Sequence, residues 1–293
     1  MEQSAFERAQ ALLAELAQSA QQGTIIPVRL SGQLQAVQAL LAQAADDRQA
    51  AQADAALPAD MDTFRKDEAA FFGHAIHELR TPLTSIRGYS DMLNNAAMGT
   101  LNDMQKQFVD TIRTNSRRME TLLTDVSDMN KLRAGTLRVN TKMDMFKNIA
   151  MMVEKAMTPV AESLGKTLTF DIPQGLPILD IDGELLAKAI SKLVENGLRY
   201  TRENGAVTVR AKAQDQQLIV EISDNGIGMS ADELKRLGEV YFRSDSDHVR
   251  AHKGSGLGVS VAYGIIHLLG GSASAQSEPD KGTTFTITVM GKH

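Results

Sequence analysis

The chain has 293 residues, about the length of two domains, and carries 31 Lys and Arg against 36 Asp and Glu, a formal net charge of −5. This acidic balance argues against nucleic acid as a partner. The absence of cysteine excludes disulfide scaffolds, Cys-ligated metals and thiol catalysis. No apolar run reaches the ~18 residues of a membrane span, and the first residues lack the pattern of a signal peptide. The sequence therefore predicts a cytoplasmic protein without a membrane span.

The first predicted segment, residues 1–61, is rich in Ala and Gln. Its apolar spacing predicts helices near residues 4–22 and 34–44, joined by an extended connector because Pro27 disfavours helix at the residue before it. Two helices around such a connector resemble a HAMP relay module, although the acidic residue common before the second helix is here Gln33. A dimeric coiled coil is the alternative.

The second segment, residues 62–135, carries apolar residues at spacings of three and four in two runs, separated by a break near residues 94–102. Such spacing predicts two long helices in an antiparallel hairpin. The apolar positions are Phe72, Ile76, Leu79, Leu83, Ile86 and Leu93 in the first helix, and Phe108, Ile112, Met119, Leu122, Val126 and Met129 in the second. A lone hairpin leaves this seam exposed, so we expect a homodimer whose two hairpins form a four-helix bundle.

The third segment, residues 136–293, alternates helical and strand patterns. The predicted helices cover residues 144–165, 183–202 and 257–269, and the predicted strands cover residues 167–172, 178–181, 207–213, 218–223, 272–277 and 283–289. Strands in hairpins together with packed helices predict an α/β sandwich with a mixed sheet, not a doubly wound parallel one. The predicted fold is therefore a helical-hairpin dimerization domain followed by an α/β sandwich domain.

The string His77-Glu78-Leu79-Arg80-Thr81-Pro82-Leu83 lies on the first helix of the hairpin. His77 follows Ile76, and one residue turns an α-helix by ~100°, so the imidazole is expected at the edge of the apolar seam and accessible. A neighbouring carboxylate such as Glu78 can take the imidazole proton while the ring attacks phosphorus. Thr81 lies one turn further on the same helix face.

This string, read on through Leu93, resembles the H box of sensor histidine kinases, which lies in their dimerization and phosphoacceptor hairpin. The resemblance implies that His77 is the phosphorylated histidine and Glu78 its acidic neighbour. It also implies that Thr81 is the threonine used in dephosphorylation. One departure is Ile76, where the family usually has Ser.

Two glycine-containing strings and one helix end in the third segment point to a nucleotide. Asp224-Asn225-Gly226-Ile227-Gly228 follows a predicted strand, and its glycines let a ligand approach the backbone closely. Gly254-Ser255-Gly256-Leu257-Gly258 opens a predicted helix, whose N-terminus favours phosphate. Asn196 offers a neutral oxygen to a hard cation such as Mg²⁺, and Arg199, on the same helix face, can meet phosphate charge.

In this order, and followed by Gly282-Thr283-Thr284-Phe285, these strings resemble the N, G1 and G2 boxes and the closing strand of the histidine-kinase ATPase domain. That domain shares its nucleotide fold with the gyrase and Hsp90 ATPases. The resemblance implies ATP with Mg²⁺, the metal on Asn196 and the adenine amino group on Asp224. Of the residues implied to bind the nucleotide, Gly226 and Gly228 would line the adenine base, and Gly256 and Gly258 would hold the phosphates. The full implied set is Asn196, Arg199, Tyr200, Asp224, Gly226, Gly228, Gly254, Gly256, Leu257, Gly258 and Thr283.

Residues 238–253 would then form the mobile ATP lid. Lys192 stands where the family often has Asn, and Gly197 replaces the usual Ala. The Phe-rich motif before the lid is reduced to Phe242-Arg243. None of these departures affects Asn196 or Asp224, the residues implied to bind the metal and the adenine.

The resemblance implies an ATP-dependent protein histidine kinase that autophosphorylates His77 and passes the phosphoryl group to an aspartate of a separate response regulator. One alternative is a nucleotide-binding signalling adaptor without turnover, which the loss of His77, Asn196 or Asp224 would have favoured. Another is a bifunctional enzyme dominated by phosphatase activity, which Glu78 and Thr81 permit. The predicted domains are residues 1–61, 62–135 and 136–293.

Overall fold

The computed structural model describes residues 60–95, 99–251 and 254–291, together with positions 8, 11, 12, 15, 36 and 39. The chain divides into two compact units between Asn130 and Lys131. Apart from those six positions, the helices predicted near residues 4–22 and 34–44 lie outside the described residues, as do the HAMP-like and coiled-coil alternatives. None of the described helices combines the length and the apolar character that a membrane crossing requires.

Two long helices form the hairpin, α1 (Asp60–Leu93) and α2 (Asp103–Arg133). Helix α1 continues through Pro82. Helix α2 begins with a reciprocal cap: the Asn102 side chain accepts a hydrogen bond from the Gln105 backbone N–H at 2.9 Å, and the Gln105 side chain accepts one from the Asn102 N–H at 3.0 Å. Such a capping box satisfies two of the backbone donors that a helix N-terminus leaves without an internal partner.

Two ion pairs join the helices of the hairpin. Arg87 contacts Glu120 at 2.6 Å, and Arg113 contacts Asp91 at 2.7 Å. The later residue of α1 pairs with the earlier residue of α2, so the two helices run antiparallel, as predicted. The Arg113 guanidinium holds the pKa of the Asp91 carboxyl below its usual value.

The buried side of the hairpin differs from the predicted apolar stripe. Of the predicted positions only Ile76, Leu83 and Met129 are buried in the single chain. Within residues 72–95 and 99–133, five other positions are buried: Ser90, Val109, Ser116, Asp125 and Asp128. Phe108 and Ile112 remain 59% and 38% exposed, because each helix has only one neighbour in a single hairpin.

The second unit begins within the last turn of α2. Its elements are β1 (Lys142–Met145), α3 (Phe146–Ser163), β2 (Thr167–Asp171), β3 (Ile178–Ile181), α4 (Gly183–Tyr200), β4 (Ala206–Gln214), β5 (Gln217–Asp224), α5 (Ala231–Arg236), α6 (Asp247–Ala251), α7 (Gly258–Leu268), β6 (Ser272–Glu278) and β7 (Gly282–Met290).

The main sheet has the strand order β2-β4-β5-β7-β6. Strand β2 runs parallel to β4, and the remaining neighbours are antiparallel. Helices α3, α4 and α7 pack side by side over one face of this sheet. The core between the layers includes Ile149, Leu186, Ile190, Leu193, Val207, Val209, Val220, Ile222 and Ile265. The predicted α/β sandwich with a mixed sheet is therefore confirmed.

The sequence prediction was wrong at the start of this unit. A helix was predicted from residue 144, but Lys142–Met145 is a strand that pairs with β3 in a separate two-stranded sheet. Met145 is the extended residue before α3, with φ −94° and ψ 135°, and the buried helical pattern begins only at Phe146. Helices α5 and α6 were also missed, because six and five residues are too short to display a helical period.

Candidate functional site

The histidine motif lies on helix α1, where buried and exposed positions alternate sharply. Ile76 and Leu83 are 5% and 2% exposed, whereas His77 is exposed and Glu78 is half-buried. The hydroxyl of Thr81 donates a hydrogen bond to the His77 carbonyl oxygen at 3.4 Å. The imidazole therefore faces solvent on a helix anchored by its apolar neighbours.

Asp224 lies at the end of β5, between a loop and the neighbouring strand. Its Oδ1 accepts hydrogen bonds from the backbone N–H groups of Gly226 at 2.8 Å and Thr283 at 3.2 Å. Its Oδ2 accepts no hydrogen bond from any residue that the structure describes. Burial raises the pKa of Asp224 to about 6. One carboxylate oxygen is thus fixed by the backbone, and the other can accept a hydrogen bond from a ligand.

The loop after Asp224 fits tightly between helix α4 and the β6–β7 turn. The Ile227 N–H donates to the Tyr200 carbonyl at 3.1 Å, and the Asp280 N–H donates to the Ile227 carbonyl at 2.7 Å. Gly228 has a φ of +62°, and a Cβ there would lie 1.9 Å from the Glu278 carbonyl oxygen. A side chain at Gly228 would therefore displace the loop.

Helix α4, which carries Asn196, Arg199 and Tyr200 near its end, lies beside this loop through Tyr200 and Gly197. Asp182 caps its N-terminus by accepting the Leu185 N–H at 3.0 Å. At the other end of the helix, a Cβ on Gly197 would lie 3.5 Å from Oδ2 of Asp224, so the helix lies directly against the carboxylate.

The polar residues at this helix end differ in their contacts. The Asn196 side chain is partly exposed and makes no hydrogen bond with the residues that the structure describes. The Arg199 side chain, predicted to meet phosphate charge, is exposed and pairs with Glu195 at 2.6 Å. A phosphate group would have to compete with Glu195 for that guanidinium.

The glycine-rich turn before α7 lies against the segment that includes Tyr241 and Phe242. Gly256 has a φ of +73°, and a Cβ there would lie 2.6–2.8 Å from the backbone of Tyr241 and Phe242. Leu257 is buried and precedes the first residue of α7, Gly258. A Cβ on Gly258 would meet nothing within 4 Å, so packing does not require glycine there.

The Arg243 side chain connects two carbonyl oxygens in the chain just before this turn. Its two terminal nitrogens donate hydrogen bonds to the carbonyl oxygens of Val249 at 2.7 Å and Gly254 at 3.0 Å. The guanidinium carbon and the Tyr200 hydroxyl both lie 3.9 Å from the position of a Cβ on Gly254. The structure thus brings together the end of α4, the glycine-rich turn and the loop of residues 225–229, which we call the base loop.

Sequence reasoning missed Ser277, on β6. Its hydroxyl oxygen accepts a hydrogen bond from the Met229 N–H at 2.8 Å and lies 3.0 Å from the Gly282 carbonyl oxygen and 2.9 Å from the Thr283 hydroxyl. The signal that could have found it is a polar residue on the half-buried side of an alternating strand.

The donor set at this site fits Mg²⁺ bound together with phosphates. No group of three or more His, Asp or Glu side chains able to hold a metal occurs within residues 60–95, 99–251 and 254–291 or at the other described positions. Asn196 instead offers a single neutral oxygen. Mg²⁺ usually keeps several waters and binds few protein ligands together with substrate phosphates.

Two family models match the chain. The His Kinase A (phospho-acceptor) domain matches residues 67–135, and the histidine kinase-, DNA gyrase B- and HSP90-like ATPase matches residues 181–292.

Two curated relatives share most of this chain. An uncharacterised sensor-like histidine kinase of Rhizobium meliloti is 31% identical over 255 residues, 86% of this chain and 49% of the relative. The histidine protein kinase DivJ of Caulobacter vibrioides is 29% identical over 228 residues, 78% of this chain and 38% of DivJ. The chain thus spans about half the length of the first relative and less of the second.

The crystal structure of full-length ShkA in complex with AMPPNP has the same fold. Its TM-score is 0.64 at 22% identity, and the match covers 76% of this chain and 46% of ShkA. The hairpin, the α/β sandwich, the two matched domains and the relatives agree: the chain belongs to the sensor histidine kinases.

Proposed function

We propose that this protein is an ATP-dependent protein histidine kinase that phosphorylates His77 and then passes the phosphoryl group to an aspartate in the receiver domain of a separate response regulator. The observation that carries the proposal is the presence in one chain of two sites. One is an exposed imidazole next to a carboxylate, on a helix anchored by buried Ile76 and Leu83. The other is a half-buried carboxylate, Asp224, with one oxygen fixed and one available.

The nucleotide would bind in the second unit. Oδ2 of Asp224 would accept a hydrogen bond from the adenine amino group, and the loop with Gly226 and Gly228 would lie along the base. The glycine-rich turn at Gly256 precedes α7, whose N-terminal N–H groups favour phosphate.

The transfer step conserves atoms and charge. The bond between the γ-phosphorus and the oxygen bridging to the β-phosphate breaks, and a bond forms between that phosphorus and a ring nitrogen of His77. ADP leaves with the bridging oxygen, and the Glu78 carboxylate takes the imidazole proton. In the second step a carboxylate oxygen of the receiver aspartate bonds to the phosphorus, the phosphorus–nitrogen bond breaks, and the His77 ring recovers a proton to leave as neutral imidazole. Positioning and charge neutralisation supply most of the catalysis in such transfers.

Mg²⁺ would be held by the amide oxygen of Asn196 together with phosphate oxygens and water, and it would neutralise phosphate charge. Asn196 is suited to this role because its side chain is partly exposed and makes no hydrogen bond within the described part of the chain.

The active form would be a homodimer. Exposed apolar side chains cluster at the loop end of the hairpin: Tyr89, Met92, Leu93, Met104, Phe108 and Ile112. A second hairpin would cover this face and complete a four-helix bundle.

Phosphatase activity towards the phosphorylated regulator is a second candidate function. It is favoured by Thr81, whose exposed hydroxyl lies one turn after His77 on the same side of α1. Thr81→Ala would then slow removal of the phosphoryl group from the regulator while leaving labelling of His77 within about twofold.

The kinase proposal is tested by incubating the full chain with γ-labelled ATP and Mg²⁺. We expect an acid-labile, alkali-stable label that is lost in His77→Gln, while ATP affinity stays within about twofold. His74→Gln is the matched control, because His74 is exposed on the same helix, one turn earlier. A label of the same stability that persists in His77→Gln contradicts the assignment.

A further inference from the structure

Beyond the residues expected to touch ATP, we infer that Ser277 is a positioning residue for base recognition: its hydroxyl joins the end of the base loop to strand β7 and thereby holds Asp224 in place. This inference rests on the proposed nucleotide site. It adds to the proposed site a residue that makes the site selective for adenine.

The Ser277 hydroxyl has three polar neighbours, one for its hydrogen and one for each of its two lone pairs. It accepts from the Met229 N–H at 2.8 Å and donates to the Gly282 carbonyl at 3.0 Å. It accepts a second hydrogen bond from the Thr283 hydroxyl at 2.9 Å. A hydroxyl has one donor and two acceptor positions, so all of them are used here.

These bonds connect both sides of the base site. Met229 directly follows Gly228, the last glycine of the base loop, and Thr283 is the residue whose N–H donates to Oδ1 of Asp224 at 3.2 Å. Gly282 lies against Asp224 so closely that a Cβ there would come within 2.0 Å of the Asp224 carbonyl oxygen. A shift at Ser277 would therefore move the loop and the strand that orient the carboxylate.

Removing the hydroxyl leaves a specific defect. The Met229 N–H loses its acceptor in a half-buried position, and a donor without a partner is costly there. The loop would move to hydrate that N–H, and Asp224 would lose its alignment with the C6 amino group of adenine. The glycine-rich turn and α7 make none of the Ser277 hydrogen bonds, so phosphate binding would be little changed.

The test compares Ser277→Thr with Ser277→Val in the full chain, because these two side chains have nearly the same shape and differ in the hydroxyl. Affinities for ATP and GTP are measured by competition against a fluorescent ATP analogue. GTP carries an oxygen at C6 and gives Asp224 no amino group at that position. Ser274→Val is the matched control, since Ser274 lies on the same strand with its side chain exposed.

We expect Ser277→Val to bind ATP about ten-fold more weakly than Ser277→Thr, with GTP affinity changed less than about twofold, as loss of one half-buried hydrogen bond predicts. In autophosphorylation, KM for ATP would rise while kcat at saturating ATP stays the same. Ser274→Val would match the unmodified chain.

Equal loss of ATP and GTP affinity in Ser277→Val would overturn the inference, because it would indicate a general structural role. Unchanged ATP affinity would overturn it as well. Failure of the unmodified chain to bind ATP would instead contradict the proposed function, so the two failures are distinguishable.

Discussion

The backbone N–H of Thr283 donates a hydrogen bond to Oδ1 of Asp224 at 3.2 Å, although 59 positions of sequence separate the two residues. The pairing of β5 with β7 brings them together, since Ser223 lies opposite Thr284 in the ladder. A second N–H, from Gly226, reaches the same oxygen from the loop side. The carboxylate is therefore oriented before any ligand binds, and this pre-organisation leads to the first two predictions.

Asp224→Asn should weaken ATP binding and stabilise the ligand-free protein. The amide oxygen of Asn can keep both backbone hydrogen bonds, but its NH₂ group then meets the adenine amino group, donor against donor. The loss of a hydrogen bond to a charged acceptor amounts to roughly 1.5–3 kcal/mol, or about ten-fold or more in affinity. Stability should rise because a desolvated charge is removed: a shift from 3.8 to about 6 corresponds to at most about 3 kcal/mol.

Calorimetry measures the affinity and thermal unfolding measures the stability of the same samples. Ser223→Ala is the control, because Ser223 precedes Asp224 on the strand and bonds the Thr284 hydroxyl at 3.0 Å without contacting the carboxylate. Unchanged ATP affinity in Asp224→Asn would place the adenine contact elsewhere.

ATP affinity should fall as the pH is lowered through about 6, because burial raises the pKa of Asp224 to that value and the protonated carboxyl is a poorer acceptor. The effect on stability has the opposite sign. A carboxyl with a raised pKa binds a proton more readily in the folded state than in the unfolded state. The ionised Asp224 carboxylate therefore lowers the free energy of unfolding above about pH 6, and this loss of stability disappears towards pH 4. The extra stability of Asp224→Asn over the unmodified protein should therefore be largest above pH 7 and fade between pH 6 and 4. An equal difference at every pH would contradict this assignment.

The sequence predicted the elements whose apolar residues recur at regular helical or strand spacing. Helix α4 and strands β4 and β5 came within a few residues of their observed bounds, because each carries a long amphipathic pattern. Strand β1 was missed because its four residues run directly into the helical pattern of α3 and are too few to be told apart from it, and its partner β3 lies outside the main sheet.

The contacts that connect distant residues could not be predicted in this way. The hydrogen bonds from Thr283 to Asp224 and from Met229 to Ser277 depend on strand pairing, which periodicity does not specify. Arg199 was expected to be available to phosphate, yet Glu195, one turn earlier, already binds it, and helical spacing alone allows either partner.

Arg243→Ala should loosen the segment between residues 243 and 254. The guanidinium bridges the carbonyl oxygens of Val249 and Gly254, so its removal breaks two charged hydrogen bonds that close this loop. We expect amide hydrogen exchange across residues 244–254 to accelerate about ten-fold or more. Arg250→Ala is the matched control: it removes the same charge from the same segment, but among the residues that the structure describes the Arg250 side chain pairs with the exposed Asp245, at 3.1 Å, and bridges no carbonyl oxygens. Equal exchange in both variants would show that charge, not the bridge, orders the segment.

Ile112→Glu should weaken the proposed dimer of the full chain. Ile112 and Phe108, one turn apart on α2, are 38% and 59% exposed in the single chain, whereas Val109, rotated by ~100° from Phe108, is buried. Burial of an Ile side chain contributes roughly 1.5–3 kcal/mol, and a dimer changes two of them, so the dissociation constant should rise about 100-fold or more. Thr114→Glu adds the same charge two residues later, rotated by ~200° away from this face, and should leave the dimer intact. Sedimentation over a range of concentrations measures the dissociation constant of each variant. Equal dissociation constants in both variants would mean that the dimer contact lies on another face of the hairpin.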